Sequence, residues 1–160
     1  MKIENTSDFS ITEIKELIKI ARGSIPDKDV AYIFKSKAMH GWRGRMKYNF
    51  FQKSICLVDV KSGLKYPIRM NEHGGVDRER TIQNKQPDGS YKMIYRKTNR
   101  PFHVVNDWKE LVLSITAHEL YHFWLFKLKK KQSEAKCERY ALKRIDRYRE
   151  IKNLNIPTQL

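Results

Sequence analysis

No Cys-x-x-Cys pair occurs in this chain, and its two cysteines, Cys56 and Cys137, lie far apart in sequence. That spacing argues against a cysteine-built zinc site and suits two free thiols in a reducing compartment. The N-terminus, Met-Lys-Ile-Glu-Asn-Thr-Ser-Asp, lacks the apolar core of a signal peptide. The longest mostly apolar stretch, Leu111 to Phe126, carries Ser, Thr, two His and a Glu, and is too short and too polar to span a bilayer. The expectation is a cytoplasmic protein that makes no use of a membrane. Acidic residues are scarce, 18 Asp and Glu against 33 Lys and Arg, for a formal net charge of +15. Such an excess suits nucleic acid or another acidic partner, although charge alone carries no sequence or shape information. Internal repeats, linkers and low-complexity segments are missing too.

What remains is enough for one domain. The chain has 160 residues, 40% of them hydrophobic, which supports a single core over residues 1–160 and leaves little room for two. Ile11, Ile14, Leu17, Ile18 and Ala21 recur at helical spacing. Ser10 is a candidate N-cap with Glu13 as its capping-box partner, and Gly23 and Pro26 end the helix. Val30 to Phe34 reads as a strand. Ser36 to Lys53 has no clean period and reads as a loop or irregular strand. Ser54 to Val60, the Lys61-Ser62-Gly63 turn and Leu64 to Met70 read as a hairpin. Gly74-Gly75 marks a loop. Thr81 to Lys85 and Tyr91 to Lys97 flank Pro87-Asp88-Gly89 as a second hairpin. Asp107 and Glu110 form a capping box for a helix through Trp108, Leu111, Val112 and Ile115. Lys127 to Gln132 interrupts it, and Ser133 caps a last helix to about Asn153, with a tail from about 154 expected to fray. The pattern predicts an α+β domain: an N-terminal helix, a small antiparallel-rich sheet of hairpins, then two helices.

The chemistry sits in His118-Glu119-Leu120-Tyr121-His122. Imidazoles four residues apart share one helix face, the spacing at which both can bind one tetrahedral Zn²⁺. Glu119 flanks that stripe and is placed to take a proton from a water that the metal activates, then pass it to a leaving amine. The segment lies on a capped, otherwise uncharged helix, where buried ionisable groups need a reason. A third ligand must follow, and no histidine occurs after His122. Glu134, Glu138 and Asp146 are the downstream candidates. A helical hairpin turning near Lys127 to Lys131 brings 134–138 back opposite His122, and allows either glutamate.

This pattern resembles the gluzincin-type zinc metallopeptidases, the thermolysin-like group and its minimal single-domain relatives, over roughly residues 107–145. In that group a Glu on the next helix is the third ligand, commonly followed by a small residue at +3, Asp or Asn at +4, and Ala or Gly at +7. Reading from Glu134 gives Cys137, Glu138 and Ala141; reading from Glu138 fits worse. The resemblance therefore implies a zincin-like fold, with His118, His122 and Glu134 on the metal. It also implies Glu119 as general base, and Glu138 as a carboxylate that holds a ligating ring from behind. It further implies a protein or peptide substrate, bound as an extended strand along a sheet edge beside the active helix. The basic charge is similar to that of SprT-like proteases, whose third ligand is a histidine instead.

Donors for a developing oxyanion are sought among Tyr121, Arg139, Tyr140, His103 and His73, with Tyr140 and Arg139 nearest the third-ligand segment. The basic and aromatic stretch from Lys35 to Lys53 offers Lys37, Arg43, Arg45 and Lys47 for phosphates and Trp42 and Tyr48 for stacking on bases. The Lys127 to Lys131 run is expected to solvate a turn or to favour acidic substrates. So small a chain could also act within a larger assembly that presents its substrate.

Overall fold

A computed structural model of the chain describes residues 1–70, 79–85, 87–89, 91–96 and 101–153. In order they form β1 (Lys2–Thr6), α1 (Ile11–Arg22), β2 (Val30–Lys35), β3 (Trp42–Lys47), β4 (Ser54–Val60), β5 (Ile68–Met70), β6 (Glu79–Lys85), β7 (Tyr91–Arg96), β8 (His103–Val105), α2 (Trp108–Lys127) and α3 (Glu134–Ile151). This is the expected α+β class. His73, the Gly74-Gly75 loop, Lys97 and the tail from 154 lie outside the described residues.

The principal sheet has the order β1-β2-β4-β3. β1 and β4 run parallel to β2 on either side, and β3 runs antiparallel to β4 at one edge. β1 escaped the sequence pattern because it has one apolar inward residue, Ile3, and pairs only at an edge. β3 escaped it for a different reason. Trp42, Gly44 and Met46 alternate with Arg43, Arg45 and Lys47, but the middle inward place holds a glycine.

The expected hairpin of Ser54–Val60 with Leu64–Met70 does not form. β4 already has β2 and β3 on its two edges, so β5 has no partner there and pairs antiparallel with β8 instead. The hairpin around Pro87-Asp88-Gly89 does form, as β6 and β7, with Gly89 at φ 82. Three of the five strand pairings among the described residues are antiparallel.

One face of the sheet supplies Val30, Tyr32, Phe34, Met46, Cys56, Val58 and Val60 to the core, where α2 and α1 cover it. In α1 the buried residues are Ile14, Leu17, Ile18 and Ala21, each large one worth about 1.5–3 kcal/mol of burial. Ser10 precedes the helix in an extended conformation but makes no side-chain cap bond. Glu13 is drawn away to Lys109 of α2 at 2.8 Å, so the expected capping box is not made.

α2 is buried almost all round from Glu110 to Ala117, as a central helix must be. Asp107 caps it, accepting from the Glu110 N–H at 2.8 Å. Glu110 itself is 1% exposed and accepts from the Asn106 N–H at 2.8 Å rather than from Asp107. Its charge is met by Arg149 of α3, whose Nε and Nη2 each donate to a carboxylate oxygen at 2.7 Å. Nη2 also reaches the Val104 carbonyl at 3.0 Å. Arg149→Met leaves this carboxylate buried without its cation, and should cost about 3–5 kcal/mol in a urea titration. Removing both charges, as Glu110→Met with Arg149→Met, should recover part of that loss. A single variant no less stable than wild type would show that the pair does not anchor α3.

Candidate metal centre

α2 ends at Lys127, and the chain reverses through 128–133 with Lys129 at φ 54. Ser133 then caps α3, accepting from the Lys136 N–H at 3.4 Å. The two helices lie antiparallel, so Glu134 returns opposite His122 and Glu138 opposite His118. His118 Nε2 and His122 Nε2 face each other at 3.1 Å. Glu134 bridges them, Oε2 at 3.2 Å from His118 Nε2 and Oε1 at 3.2 Å from His122 Nε2. Ligand atoms on a tetrahedral zinc with bonds of about 2.0–2.1 Å sit about 3.3 Å apart. The donor set therefore fits such an ion in both chemistry and spacing.

The back of each ring is also held. His122 Nδ1 lies 2.7 Å from Gln132 Oε1, and His118 Nδ1 lies 3.4 Å from Glu138 Oε1. Acceptors behind both Nδ1 atoms assign the hydrogen there and turn both Nε2 atoms to the common centre. Gln132 was not singled out in the sequence; its place in the turn just before α3 was the available signal. Cys137 was also passed over. Its buried sulfur lies in a group with His118 and His122 whose possible ligand atoms are all within 4.8 Å of one another, so this His/His/Cys group could hold a metal ion. It sits three residues after Glu134, on the same face of α3.

Electrostatics ties the cluster together. Burial disfavours a charged His118, but hydrogen bonds to Glu134 and Glu138 outweigh it and push its pKa up to about 10. His122 is likewise raised, burial being overcome by Glu134 and Gln132. Hydrogen bonds from both imidazoles hold the Glu134 carboxyl well below the usual carboxylate range. Without metal, the cluster is thus a bridging carboxylate beside rings whose protonated form it favours. A divalent cation has to displace those protons.

Glu119 is 8% exposed and reaches the opposite wall, where the backbone of Met46 of β3 favours its charged form. Burial raises its pKa, and the imidazoles and this backbone oppose the rise. Its approach to β3 explains Gly44. A Cβ there would lie 2.6 Å from Glu119 Oε1 and 2.6 Å from Ile115 Cγ2, nearer than real contacts allow. Both walls bound a cleft of about 440 Å³, lined by Trp42, Tyr48 and Met70 as well as by the His and Glu side chains.

The proposed oxyanion donors are elsewhere. Tyr140 donates to the Ala21 and Arg22 carbonyls at 3.1 and 2.7 Å, closing the end of α1. Tyr121 stacks on it with ring centroids 4.8 Å apart. Arg139 is exposed and outside the cleft lining. His103 is wholly buried, with Nε2 3.2 Å from Ser114 Oγ, and burial lowers its pKa. Tyr48 and Arg45 line the cleft instead. The residues read as a nucleic-acid stretch divide between two sides. Trp42 lines the cleft and Tyr48 stacks on Phe126 with centroids 4.5 Å apart. Arg43, Arg45 and Lys47 alternate with the inward residues of β3 and are exposed, as is Lys37. Both cysteines are buried and unbridged. Among the described residues no helix is long and apolar enough to cross a membrane. No protein-family model, curated protein or solved structure matches the chain.

The purified protein should bind about one equivalent of zinc, with His118→Ala and His122→Ala each abolishing it by metal analysis. Because His118 titrates near 10 in the metal-free cluster, zinc affinity should rise with pH from about 6 to about 9. Calorimetry in buffers of different ionisation enthalpy would report the released protons; no proton release would contradict the imidazolium cluster. Gly44→Ala should retain zinc while displacing Glu119 or β3, and a variant as stable as wild type in a urea titration would show that the close approach is not needed.

Proposed function

We propose that this protein is a zinc-dependent metallopeptidase. The observation that carries the proposal is the facing pair of imidazole nitrogens bridged by Glu134, with Glu119 in the same cleft. His118, His122 and Glu134 would hold the metal. Zinc supplies Lewis acidity, polarising a peptide carbonyl and bringing the pKa of water towards about 7. Glu119 accepts the proton of the attacking water and delivers it to the leaving amine. Its raised pKa suits that exchange, since a group nearer neutrality gives up a proton as readily as it takes one. Gln132 and Glu138 orient the rings. The edge of β3 offers main-chain groups to an extended substrate.

The second reading is a non-catalytic structural or nucleic-acid-associated protein on a zincin-like fold. Cys137 favours it, because a fourth protein ligand beside His118 and His122 would close the site. Cobalt substitution separates the two readings. A thiolate-to-cobalt charge-transfer band that disappears in Cys137→Ala would support the closed site. A spectrum free of that band supports the open one.

Glu119→Gln should keep its zinc and lose about 10²–10⁴-fold in peptide hydrolysis, measured on casein and in a proteome-wide comparison of cleavage products. Equal cleavage by both proteins, or none by either with zinc bound, would remove the peptidase reading.

A further inference from the structure

Among the described residues β3 is the last strand of its sheet, and its ladder with β4 shows which groups it leaves over. The Lys61 N–H donates to the Gly41 carbonyl at 2.7 Å, and the register continues through Trp42↔Val60 and Arg43↔Asp59 without a shift. Antiparallel pairs alternate, so Arg43, Arg45 and Lys47 exchange hydrogen bonds with β4. Trp42, Gly44 and Met46 turn N–H and C=O to the free edge. The Glu119 carboxylate lies against this end of the strand, its charged form favoured by the Met46 backbone, which leaves Trp42 and Gly44 to pair with an added strand.

A strand laid on this edge puts alternate side chains on opposite faces of the sheet. Those on the inner face enter the cleft beside Trp42 and Met46. Those on the outer face stand next to Arg43, Arg45 and Lys47, all exposed, at cross-strand distances of about 4.5–5.5 Å, and Arg45 also reaches the cleft lining. Arg43 is engaged by Asp59 at 3.0 Å, whereas Arg45 and Lys47 make no ion pair among the described residues. The row therefore lacks compensating acid on its outward side. Of the aromatic residues in the same stretch, Trp42 and Tyr48 line the cleft and Phe50 and Phe51 are exposed beyond the end of β3, so none stands within this row to stack bases between its charges.

We infer that the β3 edge selects an extended acidic peptide, with Glu or Asp at every second residue on the outer face and uncharged residues between. The inference rests on the peptidase reading and names its substrate class. Fluorescence anisotropy with the Glu119→Gln protein tests it without cleavage. The probes are a labelled peptide with three Glu alternating with Val and Thr, its Lys counterpart, one of identical composition with the three Glu contiguous, and a single-stranded oligonucleotide.

The alternating Glu peptide should bind roughly five- to tenfold more tightly than the contiguous one, and more weakly as salt rises. Arg45→Glu with Lys47→Glu should transfer the preference to the Lys peptide. Equal binding of the alternating and contiguous peptides would overturn the inference, leaving charge without register. Tighter binding of the oligonucleotide would overturn it in favour of nucleic acid. Failure of the peptidase reading is seen separately, in zinc content and in wild-type cleavage.

Discussion

α2 is a helix with nowhere to put a charge. Nearly every face of it is covered, yet it carries Glu110, His118, Glu119 and His122. An ionised group in such a place has to be met by an opposite one. α3 meets most of them, with Arg149 against Glu110 at one end and Glu134 and Glu138 against the imidazoles at the other. These contacts are spread along the whole helical hairpin, so together they fix its register. A slide by one turn would strand the charges at both ends. The geometry of the candidate metal centre thus follows from the same pairing that makes the hairpin stable.

Glu119 is the exception, because its partner comes from the sheet. The missing side chain of Gly44 lets β3 approach until strand and helix share one cleft. The Glu119 carboxylate and the edge of β3 are therefore built into one contact. Movement of β3 would alter both the position of the carboxylate and the backbone groups beside it.

Much of this was legible in the chain. Helical spacing and caps gave α1, α2 and α3, and the His118-Glu119-x-x-His122 spacing located the centre of the site. The residues themselves left Glu134 and Glu138 open as third ligand; only the resemblance ranked them. What was hidden depended on long-range pairing. β5 was assigned to the nearest strand in sequence, but β4 was already saturated on both edges. β3 was obscured because Gly44 replaces an apolar residue where Glu119 intrudes. Glu13 and Glu110 fit the capping-box pattern, yet Glu13 pairs with Lys109, and Glu110 accepts from Arg149 and from the Asn106 N–H rather than that of Asp107. Cys137 did not register because a cysteine was weighed by its neighbours in sequence, whereas its relevant neighbours are a helix away.

Gln132 links the basic turn to the back of His122 twice, its Oε1 facing the ring nitrogen at 2.7 Å and its Nε2 donating to the backbone carbonyl at 3.3 Å. Surface turns between helices ordinarily accept inserted residues, but here added length would carry away the amide that aims the imidazole. An engineer adding a tag, a fluorophore or a fusion partner should therefore leave 128–133 untouched. The Lys61-Ser62-Gly63 turn, where a side chain added at Gly63 would meet open space, is the safer point of attachment.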